Sequence, residues 1–221
     1  MTTEETTPLN DAKTTTSNDE SSVAVATGPN YLTLTGGAAM MLAVGTGLAF
    51  ATLYVDGNKI TYESKILSLK EQDLQWLYLA LIVLGRMIAV VNFAPTGYKN
   101  GLKGNVRSNP FFYQTEDSKK TMVLFQEDGT NGMYNRSNRS VQHMVENFGA
   151  FLASIGPVGY IFPKQTFGVV TAFSLGRILH QKGYSKGYGG HVVGFALSTL
   201  SVLTLEGLAL ITFLKAETII A

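Results

Sequence analysis

Five apolar runs, each long enough to cross a bilayer, constrain this chain more than anything else in it. A hydrocarbon core of about 30 Å needs roughly 20 helical residues. Residues 31–54 make one run without a charge, and 74–95 make a second, broken only by Arg86. The others are 139–162, 165–182 and 191–214, the last broken by Glu206. Unpaired backbone groups are not tolerated in lipid, and five short segments cannot close a barrel, so the runs must be helices. The expected fold is all-α, an integral membrane helical bundle. Tyr31, Tyr54, Trp76, Tyr78, Tyr160 and Tyr184 stand near the ends of the runs. Amphipathic rings prefer that level of a membrane.

Outside the runs the chain is polar. Residues 1–30 are rich in Thr, Ser, Asp and Glu and nearly free of aromatics. Such a segment cannot offset its chain entropy by burial, so it is expected to be a disordered tail. It carries several acids and one cation, Lys13. That fits neither an Arg-rich transit peptide nor a basic-then-apolar secretory signal. Net charge is +1, with no concentrated basic face for a nucleic acid. The chain has no cysteine, which excludes disulfides, thiolate metal sites and a cysteine nucleophile. Three dispersed histidines do not make a metal site. GYGG at 187–190 lacks the Lys-Ser/Thr of a phosphate loop.

Loop charge sets the expected orientation. If all five runs span, one side has the tail, the 96–138 loop and the 183–190 turn, with ten Lys/Arg counting Arg139 and Lys182; the other has five. The positive-inside rule puts the N-terminus and the long loop in the cytosol. Two sequons, at Asn135 and Asn138, would then never meet the glycosylation machinery. The long loop is either a lid with partner-binding capacity or a connector, and TMVLFQ at 121–126 suits a short strand or interfacial turn. Gly156-Pro157 is expected to kink the third membrane helix. Gly36, Gly37, Ala43, Gly45 and Gly47 give the first run small residues, which let membrane helices approach closely.

The stretch RSVQHMVENFGAFLA (139–153) begins with a polar stripe. Arg139, Gln142, His143 and Glu146 follow i, i+3, i+4, i+7 and share one helix face. Arg177, His180 and Tyr184 do so again in the fourth run. A charge at membrane depth costs on the order of 2.5–3.5 kcal/mol, so it has a partner or a wet cavity. Either Glu146 pairs with Arg177 and Glu206 with Arg86, fixing the bundle, or the groups form a site. Arg139 offers a donor fork suited to a carboxylate, and Glu146 accepts from an ammonium or amide. Gln142, Asn147 and Tyr184 can address peptide groups. The set suits a small zwitterionic, multi-carboxylate ligand at the cytosolic interface, with an apolar co-substrate arriving from the lipid.

Two of these motifs resemble a known family. R-x-x-Q-H-x-x-E-N at Arg139–Asn147 resembles the R-x-x-N/Q-x-x-x-E signature of the membrane-associated proteins in eicosanoid and glutathione metabolism (MAPEG). This superfamily includes the microsomal glutathione transferases and leukotriene-forming synthases. LGRILHQKGY at 175–184 is similar to the family's R-x-L-Y-x-x-G-Y stretch. The resemblance covers about residues 74–214, with helices at about 74–95, 139–162, 165–182 and 191–214. It implies a four-helix protomer assembling as a homotrimer, most simply in the endoplasmic reticulum, with an organellar membrane also open.

The resemblance further implies glutathione as co-substrate, held by Arg139, Gln142, His143, Glu146, Asn147, Arg177, His180 and Tyr184. The activity it implies is transfer of the thiolate to a lipophilic electrophile from the bilayer, or reduction of a lipid hydroperoxide. The chain departs from the pattern where the thiol is activated. His180 stands where the family commonly has tyrosine. His191 stands, counting without gaps, where one branch has the activating arginine; a gap would make Lys186 the nearest cation. His191, with Tyr184, is the expected catalytic group. The alternative is a non-catalytic membrane subunit or scaffold of the same fold. Residues 31–73 precede the resemblance and add one N-terminal helix, which could touch lipid or dock another membrane protein. Residues 215–221 form a short C-terminal tail.

Overall fold

The computed structural model describes residues 28–56, 59–99, 111, 113–115 and 123–220. The tail expectation for 1–27, and the lid-or-connector expectation for 96–138 where it falls on 100–110, 112 and 116–122, lie outside them. The chain is helical in order: α1 (Tyr31–Asp56), α2 (Lys59–Glu71), α3 (Gln75–Phe93), α4 (Thr96–Lys99), α5 (Gly129–Ile161), α6 (Pro163–Lys186) and α7 (Val192–Ala216). Between α4 and α5, β1 (Tyr113–Thr115) pairs antiparallel with β2 (Val123–Phe125). The strand expected within 121–126 is therefore present at 123–125.

Each expected helix forms, with shifted bounds. Asn30 starts α1 by accepting from the Leu32 and Thr33 amides at 3.0 and 3.3 Å, which satisfies donors that a helix start leaves open. The 55–73 connection contains α2, so it is not a plain loop. The largest shift is in α5, which begins ten residues before the apolar run. Its 33 residues measure about 50 Å, longer than the bilayer core. Its first turns therefore stand in the interfacial and aqueous region, where their polar residues belong. Pro157 lies within α5, which continues to Ile161.

The core explains why α6 is the least apolar of the long helices. Tyr31–Asp56, Gln75–Lys99 and Val192–Ala216 are long and apolar enough to span, and Phe148–Ile161 is a shorter apolar stretch. α6 packs against α3, α5 and α7 together. It meets protein on most sides, which keeps its polar residues from lipid: Arg177, His180 and Gln181 bond to α5, while the buried Thr166 and Ser174 hydroxyls have no partner among the described residues. Met87 and Val91 of α3, Phe151 and Ile155 of α5, Val170 of α6 and Leu205 of α7 form one buried cluster. The Phe151 and Phe173 rings stack at 4.0 Å within it. Between α6 and α7 the approach is closer still: a Cβ on Gly176 would meet Ser198, and one on Gly194 would meet the His180 backbone.

α1 lies outside this bundle, on α3. Arg86 Nη1 donates to the Ala38 carbonyl at 2.8 Å, and Ala38 is the buried residue of α1. Arg86 therefore does not pair with Glu206, because α1 supplies its partner. Gly36, Gly37, Gly45 and Gly47 face open space within the chain. Residues 28 and 29, expected to belong to the tail, pack instead: a Cβ on Gly97 would strike Pro29, and one on Gly28 would meet Tyr98. Tyr98 in turn donates to Ser185 Oγ at 2.8 Å. At the opposite end Lys164 pairs with Asp73 at 2.7 Å and Trp76 meets Phe167 with ring centroids 5.2 Å apart. The long helices thus alternate in direction.

Candidate functional site

Small polar residues on α5 hold the site-bearing face of α6. Gln181 Nε2 donates to the Ser137 carbonyl and hydroxyl at 3.0 and 2.6 Å. Arg177 Nη2 donates to the Ser140 carbonyl at 2.9 Å. Ser140 Oγ lies 2.8 Å from His180 Nδ1, a hydrogen bond whose direction depends on the tautomer. Arg177 and His180 are each only 3% exposed. Paired polar groups are what a membrane-level seam requires. Arg177 therefore does not pair with Glu146; a backbone carbonyl takes that place.

His180 is the centre of a ring cluster. His143 stacks on it at 5.6 Å and Tyr184 at 5.5 Å. His191, where α7 begins, meets His180 edge-on at 5.4 Å and Tyr184 at 5.1 Å. Phe195 lies one helical turn further along α7, 6.0 Å from the His143 ring. All three histidines of the chain thus gather in one place. Among the described residues no three His, Asp or Glu side chains are placed to hold a metal ion.

Two adjoining cavities open there. A smaller one, about 190 Å³, is lined by Arg139, His143, His180, Tyr184, His191 and Phe195. A larger one, about 440 Å³, shares His143 and Phe195 and runs along α5 and α7 past Glu146, Arg177 and Glu206. Cations, phenol, imidazoles and carboxylates therefore border these two neighbouring cavities. Arg139 supplies a donor fork at the surface. Buried Arg177 supplies a second cation, whose Nε–H has no partner among the described residues. Such a setting favours an anion, whether carboxylate or thiolate.

The residues singled out from sequence fare differently. Arg139, His143, Glu146, Arg177, His180, Tyr184 and His191 all border one cavity or the other. Arg139 and Glu146 also bind each other, at 2.8 Å on a half-exposed surface. Gln142 is exposed on α5 and lines neither cavity; the side chain of Asn147 lies outside the described set. Lys186, the alternative to His191, borders a separate depression beside Gly187 and Val193. Ser137, Ser140, Gln181 and Phe195 were not anticipated. The i, i+3 spacing of the two serines was the available signal, weak because serine is common.

Other polar contacts secure the aqueous end. Arg136 donates to the Glu127 carbonyl at 2.6 Å and the Ser185 carbonyl at 3.3 Å. Tyr188 donates to the Glu127 carboxylate at 2.8 Å, and that bond raises its phenol above the ordinary range. Asn135 is fully buried and donates to the Gln126 carbonyl at 2.8 Å. Its sequon is thus inaccessible in the folded protein, whichever side it faces.

Fold and site together define an integral membrane helical bundle with a polar pocket at one end. Residues 75–211 match the sequence model of the MAPEG family, from the first residue of α3 into α7. The chain belongs to that family. No curated protein and no solved structure shows a significant match to it.

Proposed function

We propose that this protein is a membrane-bound glutathione transferase or peroxidase that acts on lipophilic electrophiles. The observation that carries the proposal is the convergence of α5 and α6 motif residues with His191 around one cavity. Membership of a family that generally uses glutathione supports it. In this reading Arg139 and Glu146 exchange their mutual pair for the charged ends of glutathione, and His143 borders the tripeptide. A free thiol has a pKa of about 8.5, so it must be helped to ionise. His191 and Tyr184 stand where they could do that: imidazole can accept the thiol proton, and imidazolium or phenol can donate to the thiolate. The sulfur then bonds to an electrophilic carbon, whose leaving group or ring oxygen takes the electron pair and a proton.

The pocket is open on the α5–α7 side, where Arg139 and Glu146 are half exposed. A neighbouring protomer in a trimer would supply the missing wall. The loop-charge bias puts this end in the cytosol, with the endoplasmic reticulum as the simplest membrane.

A second reading is a scaffold that kept the bundle without the thiol chemistry. Its support is α1, outside the matched segment and tied down through Arg86 and Ala38. Calorimetric titration of glutathione into the protein in lipid nanodiscs separates the two. The first reading expects binding that Arg139→Ala weakens roughly tenfold to a hundredfold. No heat at millimolar glutathione would reject it in favour of the scaffold.

A further inference from the structure

Glu206 is the only charged residue between His191 and Lys215. It is exposed within the protomer and borders the larger cavity. Among the described residues no side chain forms an ion pair or hydrogen bond with it. A carboxylate at membrane depth needs a partner or a wet cavity, so its unmet acceptors point to whatever fills this groove. The groove has polar ends and an apolar middle. At one end lies Arg177, nearly fully buried, with an Nε–H that has no partner. Phe173, Val202 and Leu203 line the stretch between. Ser198 lies against Gly176, the residue before Arg177. Glu206 is eight residues further along α7, about 12 Å.

The geometry points to Glu206 as a specificity-determining residue that selects lipophilic co-substrates carrying a hydroxyl or amine two turns of α7, about 12 Å, beyond the end that lies beside Ser198 and Arg177. This rests on the reading that the groove receives the lipophilic co-substrate. An ionised carboxylate only accepts hydrogen bonds. A chain ending in a hydroxyl or amine satisfies it, a plain alkyl end leaves it desolvated, and a carboxylate end is repelled. A site built around a polar group discriminates most strongly against the analogue that lacks the matching group.

The test uses decanoic acid and its terminally hydroxylated analogue as competitors. Each displaces a fluorescent medium-chain fatty acid from the full chain in nanodiscs. Comparing the ratio of the two affinities between wild type and variants cancels their different partitioning into lipid. Glu206→Leu is expected to lower the preference for the hydroxylated chain about tenfold, and Glu206→Gln, which still accepts, to lower it less. A ratio unchanged by Glu206→Leu would overturn the assignment, as would failure of both chains to displace the probe. An unchanged ratio with loss of oligomer size would instead place the carboxylate against a cation of a second copy, and also overturns it. Glutathione calorimetry on the same wild-type preparation reports separately on the transferase reading. If that fails, the probe ratio still decides the role of Glu206.

Discussion

His180 shows how much one residue in a membrane bundle depends on neighbours that the sequence does not advertise. Its departure from the family's tyrosine is visible in LGRILHQKGY, but its hydrogen bond to Ser140 is not. Ser140→Ala would leave a buried ring nitrogen unsatisfied. Its expected cost is about 1–3 kcal/mol, readable as a lower midpoint in denaturant or thermal titration of the reconstituted protein. An unchanged midpoint would mean that the Ser140–His180 bond contributes nothing. Arg139 and Glu146 present the opposite case. Their pair is half exposed, and such pairs contribute about 0–1 kcal/mol. Glu146→Gln should therefore leave stability within that range while weakening glutathione several-fold by calorimetry. The charges were legible because they share a helical face. Their preference for each other was not, since a stripe of that spacing says nothing of side-chain reach.

The helices were legible as elements and less so at their ends. Hydropathy located the apolar part of α5 but not its ten leading residues, mostly polar or glycine, which look like loop when only lipid-compatible stretches are sought. α2 escaped for the same reason. The α6–α7 contact depends on glycines whose importance only packing reveals. Gly194→Leu places a side chain against the α6 backbone at His180. Overpacking of that kind costs about 1–3 kcal/mol, and separating the helices would also open the His180–His191 contact. Loss of both thermal stability and glutathione binding is the expected result; a wild-type melting profile would contradict the close approach. For α1, the Arg86–Ala38 bond predicts a local effect. The chain has no cysteine, so a single Ala38→Cys reports cleanly. Its reaction with a membrane-permeant maleimide should be slow and should quicken when Arg86→Met is added. Equal rates would show that α1 is held elsewhere.

At the scale of the molecule, alternation of five long helices followed from the apolar runs, and the contacts at both ends agree with it. Gly28, Tyr98 and Ser185 meet at one end, and Asp73 and Lys164 at the other. The dispersed polarity of α6 made it the weakest apolar run, because a central helix faces protein where the others face lipid. The architecture predicts sidedness. Cysteines introduced at Tyr188 and at Asp73 should label from opposite faces of sealed vesicles, with the Tyr188 position cytosolic. Labelling from one face would break the alternation, and the reverse assignment would contradict the loop-charge reading.

In the proposed function the cavity under Arg139 binds glutathione and ionises its thiol. The most direct test is the ultraviolet absorbance of the thiolate when glutathione is added to the reconstituted protein near neutral pH, in wild type and in His191→Ala. A thiolate band in wild type that His191→Ala diminishes, while glutathione still binds, is the expected result. Glutathione bound without a thiolate band would contradict it.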